Sequence, residues 1–80
     1  MARSRSCRFC LALFEEIGDE PQRWTTITAV AERMRIAQGD AEALAAELDE
    51  LGLVRVGGGH SVTLAPDGRQ LVRRSFSMRA

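Results

Sequence analysis

Leu48-Asp49-Glu50-Leu51-Gly52-Leu53-Val54-Arg55-Val56-Gly57-Gly58-Gly59-His60-Ser61-Val62-Thr63-Leu64 is the stretch in which the apolar residues change period. Before it, and into its first turn, Ala41, Leu44, Ala45, Leu48 and Leu51 fall on one face of a helix over 38–51. Gly52 supplies the stop, because the chain must reverse there from helix to strand. Leu53, Val54 and Val56 then read as a short strand, Gly57-Gly58-Gly59-His60 as a turn, and Val62 and Leu64 as the returning strand. A two-stranded hairpin does not stand alone in water, so Leu53, Val54 and Leu64 must share a core with helices.

Those helices flank the stretch. Cys7, Cys10, Leu11, Phe14 and Ile17 recur at helical spacing, and Gly18 ends that segment. Asp19-Glu20-Pro21-Gln22 reads as a loop, after which Trp24 is expected to cover the core. Thr26 is a plausible N-cap for a second helix with the stripe Ile27, Val30, Ala31 and Met34. Arg35-Ile36-Ala37 forms the turn into the third helix. On the far side, Pro66 suits the first position of a final helix, Asp67 lies near its positive end, and Leu71 and Val72 pack it down. Residues 1–6 read as a loose arm, 7–75 as the folded domain and 76–80 as a tail. The expected fold is mainly α with a small β-hairpin: a three-helix core, two strands and a short C-terminal helix.

Eighty residues make one domain. Apolar residues at 45% against 28% charged are enough to build a core, which separates the chain from disordered tails. Eleven basic and 11 acidic residues give a net charge of zero, which excludes bulk polybasic attraction but permits a local patch. Every basic residue is Arg. No apolar run approaches the roughly 18 residues of a membrane span. Glu15 and Glu16 interrupt the segment after the basic Met1–Ser6, which argues against a secretory signal. The expected location is cytoplasmic, with no membrane partner.

The order helix, helix, turn, helix, hairpin, helix resembles a bacterial winged helix-turn-helix. The blocks that carry the resemblance are Ala31-Glu32-Arg33-Met34-Arg35-Ile36, Leu48-Asp49-Glu50-Leu51-Gly52-Leu53-Val54 and Leu64-Ala65-Pro66-Asp67-Gly68-Arg69. In the last of these a Thr usually stands where Ala65 is. What the resemblance implies is a small transcriptional regulator that binds double-stranded DNA. Its third helix would enter the major groove and its wing would lie on phosphates. By position the reading residues would be Gln38, Gly39, Asp40, Glu42, Ala43, Ala46 and Glu47. Gln38 can pair with adenine, and a carboxylate can accept from cytosine.

The charges sit awkwardly with that role. Between Ile36 and Val54 there are five acidic residues and no basic one, and DNA affinity comes chiefly from neutralised phosphates. Phosphate contacts are therefore expected from Arg33, Arg35 and Arg55, with His60, Arg73, Arg74 and the arm's Arg3 and Arg5 in support. The alternative is a winged helix used for protein contact, in which Gly39, Glu42, Ala43, Ala46 and Glu47 dock a partner or a second copy as a homodimer.

Cys7 and Cys10 have the spacing of half a zinc site, but a structural zinc needs four ligands and His60 is the chain's one histidine. On a helix the two thiols share the buried face, so core packing is the expectation. A redox pair would need a low-pKa thiolate, which Arg8 and a helix N-terminus can favour. Gly57-Gly58-Gly59 is no phosphate loop, because no Gly-Lys-Ser/Thr follows it. No nucleophile has a base and an orienter beside it; adjacency of His60 and Ser61 is not a triad. Neither an enzyme, a metal nor a cofactor is expected.

Overall fold

A computed structural model describes residues 5–18, 20 and 23–76 of the chain. The elements follow as α1 (Arg5–Ile17), β1 (Thr25–Thr26), α2 (Ile27–Met34), α3 (Gln38–Glu50), β2 (Val54–Gly57), β3 (Ser61–Leu64) and α4 (Pro66–Phe76). The architecture is mainly helical with a small antiparallel sheet of order β1-β3-β2, compatible with a winged helix. Among the described residues no helix is long and apolar enough to cross a membrane.

Local chemistry sets the element boundaries. The extended Thr26 caps α2, its hydroxyl accepting from the Ala29 N–H at 3.1 Å. Between α2 and α3 the chain turns through Arg35, which is in the left-handed region at φ 61°. The Arg35 and Ile36 N–H groups donate back to Glu32 and Ala31 carbonyls at 3.2 and 3.1 Å, so the tight turn satisfies the end of α2. Gly52, at φ 79°, reverses the chain after α3, and the Leu53 N–H donates to the Leu48 carbonyl at 3.0 Å.

Four features differ from the sequence reading. Arg5 and Ser6 belong to α1, so helix replaces arm there; residues 1–4 and 77–80 lie outside the described residues, and α4 extends through Phe76. The sheet has a third strand, because Thr25 and Thr26 pair with Val62 and Ser61 on the free edge of β3. Two residues carry no period that a sequence can display, and Thr26 both ends that strand and caps the next helix. Leu51 is 64% exposed, since α3 stops at Glu50 and the Gly52 reversal delivers the half-buried Leu53 to the core in its place. On α1 the most deeply buried residues are Phe9, Cys10, Leu13 and Ile17, whereas Cys7, Leu11 and Phe14 are partly covered. That helix is central: it packs against α2, α3, α4 and β3, so it needs apolar residues around most of its circumference.

The core joins Phe9, Leu13, Ile17, Val30, Leu48, Val54 and Val62, all nearly removed from water. Each such side chain contributes roughly 1.5–3 kcal/mol. Two residues of α4 fix its place. Gly68 lies against the Leu53 carbonyl with no room for a Cβ. Arg69, which in sequence looks like part of a basic C-terminal segment, is buried at 8% exposure. Its Nη2 donates to the Glu20 carbonyl at 2.7 Å and its Nη1 to the Gly18 carbonyl at 3.4 Å, tying α4 to the chain that leaves α1.

Candidate nucleic-acid interface

The exposed side of α3 presents Gly39, Asp40, Glu42, Ala43, Ala46, Glu47, Asp49 and Glu50 to solvent. Gln38 is half-buried, and its Nε2 donates to Glu42 Oε2 at 3.1 Å. Between this helix and the hairpin runs an open groove of about 350 Å³. Ile27, Ala45, Ala46 and Val56 supply its apolar lining, Glu42 and Asp49 its carboxylates, and Gly59 and His60 the opposite edge. Glu42 and Asp49 are two helical turns apart, about 10 Å along the axis. A phosphate entering here meets two negative charges.

The cations are distributed elsewhere. Arg33 donates from Nε to Glu16 at 2.8 Å and from Nη1 to Glu15 at 3.4 Å, so it joins α2 to the end of α1. The hydrogen bond to Glu16 raises its pKa. Arg35 is exposed at the α2–α3 turn, and His60 is exposed at the hairpin turn. The His60 carbonyl accepts from the Ile27 N–H at 2.8 Å, which fixes the hairpin tip against the start of α2. Arg55 projects from β2 in register with Thr63, on the sheet face opposite the buried Val54. Arg73 and Arg74 are exposed on α4, which is tied through Arg69 to the Gly18 carbonyl and packs against α1. The predicted cations therefore form no single cluster: Arg55 and His60 share the hairpin, Arg35 sits at the turn, and the α4 pair belongs to another edge.

Trp24, which by sequence is expected to cover the core, lies on the outer face of the sheet. Trp24 is 46% exposed. Its six-membered ring lies over the hairpin at Gly57, where a Cβ would come within 3.2 Å of Cζ3 and 3.3 Å of Cη2. The β1 register supplies the reason. Thr25 pairs with Val62, so Trp24, one residue earlier, projects to the outer face of the sheet.

Cys10 is fully buried in α1, and burial first, then the neighbouring Cys7, pushes its thiol up to about 12. That opposes thiolate chemistry at Cys10, and neither cysteine is in a disulfide. Among the described residues no three His, Cys, Asp or Glu side chains are grouped to hold a metal. Because the folded pKa is raised above the ordinary 9.0, stability is whole below pH 9 and declines as pH rises toward 12, where only the unfolded chain has released its proton. The expected slope is about 1.4 kcal/mol per pH unit. The chain has no Lys and no Tyr to obscure it. Urea titrations across this range check the slope, and Cys10→Ala should flatten it; an equally steep slope in that variant contradicts the assignment.

No known family model matches the chain, and no curated protein matches it in sequence. Among solved structures it is similar to BpsR of Bordetella bronchiseptica, whose DNA binding is regulated by 6-hydroxynicotinic acid. The TM-score is 0.65 at 21% identity, over 96% of this chain. The fold is shared with a DNA-binding protein. The chain spans 61% of the length of the BpsR chain. At this identity the likeness is one of fold, and no site residue is carried across by it.

Proposed function

We propose that the chain is a winged-helix DNA-binding module of a small transcriptional regulator. In this reading α2, the Arg35 turn and α3 form the helix-turn-helix, and β2 and β3 form the wing. The observation that carries it is the BpsR-like fold joined to an exposed Arg55 on that wing. Arg35 and Arg55 contact phosphates, with His60, Arg73 and Arg74 in support. Arg33 takes a lesser part, because a phosphate must compete with Glu15 and Glu16 for its guanidinium. Gln38, the base-edge candidate of α3, has its amide held by Glu42 on an acidic helix and takes no part in the contact.

Anisotropy of a labelled random-sequence duplex, titrated at several salt concentrations, tests this. About four phosphate contacts give a log–log salt slope near −4. Arg55→Ala should weaken binding to every sequence alike and reduce the slope by about one. Absence of binding at low salt contradicts the reading.

The acidic groove favours a second reading, in which α3 docks a partner protein or a second copy through Gly39, Glu42, Ala43, Ala46 and Glu47. Small residues at 39, 43 and 46 let another backbone approach closely. The same titration separates the two, since a docking face alone leaves the anisotropy of the duplex unchanged.

A further inference from the structure

The two sides of the hairpin differ in chemistry. Toward α3 it closes a groove that carries Glu42 and Asp49. Away from α3 it presents Arg55 and the ring of Trp24. We propose that duplex DNA lies along this outer face, with Trp24 as its aromatic contact to the deoxyribose and Arg55 on the adjoining phosphate. The inference rests on the DNA-binding reading and deepens it by naming which side of the wing is used.

Three observations support the assignment. Trp24 is held in place while nearly half exposed. The Thr63 hydroxyl, on the same face, donates to the Arg23 carbonyl at 2.6 Å and pins the backbone just before it. Gly57 gives the ring room to lie over the strand. An aromatic surface ordered in advance loses little entropy on binding. Second, the ring and Arg55 are near neighbours in the sheet: Arg55 and Gly57 alternate with Val54 and Val56, so both face outward. A flat aromatic beside a guanidinium meets the two parts that a duplex exposes along its groove edge, the apolar deoxyribose and the phosphate. Third, Gly58 and Gly59 follow at once, both at positive φ, so backbone without side chains forms the tip next to this surface. A nucleic acid can come close there, whereas approach over α3 brings it against carboxylates.

Trp24 is the chain's one tryptophan and there is no tyrosine, so its emission reports on this site alone. Emission is to be followed in the full chain during titration with a random-sequence duplex at low salt, alongside anisotropy of the labelled duplex. Emission should change and saturate at the affinity that anisotropy reads. Trp24→Leu should weaken binding by up to about tenfold, the loss of the ring's apolar contact with the sugar. It should leave the salt slope unchanged, because no phosphate contact is lost, and Trp24→Phe should restore most of the affinity. Melting curves of both variants show whether the fold is retained, and the wild-type emission needs no variant. Anisotropy without any emission change, or a salt slope that falls in Trp24→Leu as in Arg55→Ala, overturns the proposal while leaving DNA binding intact. Absence of any anisotropy change is a different failure, that of the DNA-binding reading itself.

Discussion

Gly68→Ala should lower the melting temperature by about 12 °C. Alanine ordinarily favours a helix over glycine by about 1 kcal/mol, so the sign itself is informative. The cause is contact with backbone, which has no rotamer to give. A Cβ at 68 is driven into the Leu53 carbonyl and comes within 2.9 Å of Leu64 Cδ2. The carbonyl is not free to move, because it accepts from the Ala65 N–H at 3.0 Å. Relief requires α4 to lift from the β2 entrance, which strains the core and threatens that hydrogen bond. Overpacking costs roughly 1–3 kcal/mol and a lost bond about 1 more, for a net destabilisation of about 2 kcal/mol after the helix gain. Calorimetry checks it; an unchanged or raised melting temperature contradicts the close packing of α4 on Leu53.

Arg69→Leu is the second large effect. The side chain keeps its bulk near the core but loses the donors that hold the Gly18 and Glu20 carbonyls. Hydrogen bonds from a charged donor are worth about 1.5–3 kcal/mol, so a loss of about 2 kcal/mol is expected. Arg69→Lys should recover little of it, because an ammonium cannot reproduce the guanidinium fork. The damage should be local as well as global. The segment after Glu20 leads into Trp24 and β1, so hydrogen exchange at Thr25 and Thr26 should accelerate more than at Leu48 in the core of α3. Equal acceleration at all these sites would place Arg69 in general packing and not in holding this segment.

Much of the helical frame is legible in the sequence because its signals are local. Thr26 caps α2, Pro66 opens α4, and Leu44 and Leu48 turn toward the core, each by a rule that needs only neighbouring residues. The misses share a different cause. Whether Thr25 and Thr26 form a strand depends on a free edge of β3 that lies 35 residues later, at Val62 and Ser61. Trp24 reads as a cover on the core, yet the register of that short strand sends it to the outer face of the sheet. Arg69 counts as surface charge until two carbonyls about 50 residues upstream are seen to converge on it. The candidate site follows the same division. The Gly57-Gly58-Gly59 turn alone puts Arg55 and His60 on the hairpin, while the groove, the Arg33 pairing with Glu15 and Glu16, and the outer-face surface need the tertiary fold.

The central claim is that DNA is bound from the outer side of the wing and not across the acidic third helix. Titrating the isotope-labelled chain with a random-sequence duplex of about two helical turns at low salt, and following every amide and the Trp24 indole, tests it most directly. The expected result is a progressive shift at Trp24, Arg55 and Gly57 to His60, with Gly39, Ala43 and Ala46 unmoved. Shifts that begin and remain on Gly39, Ala43 and Ala46, or no shift anywhere, would contradict it.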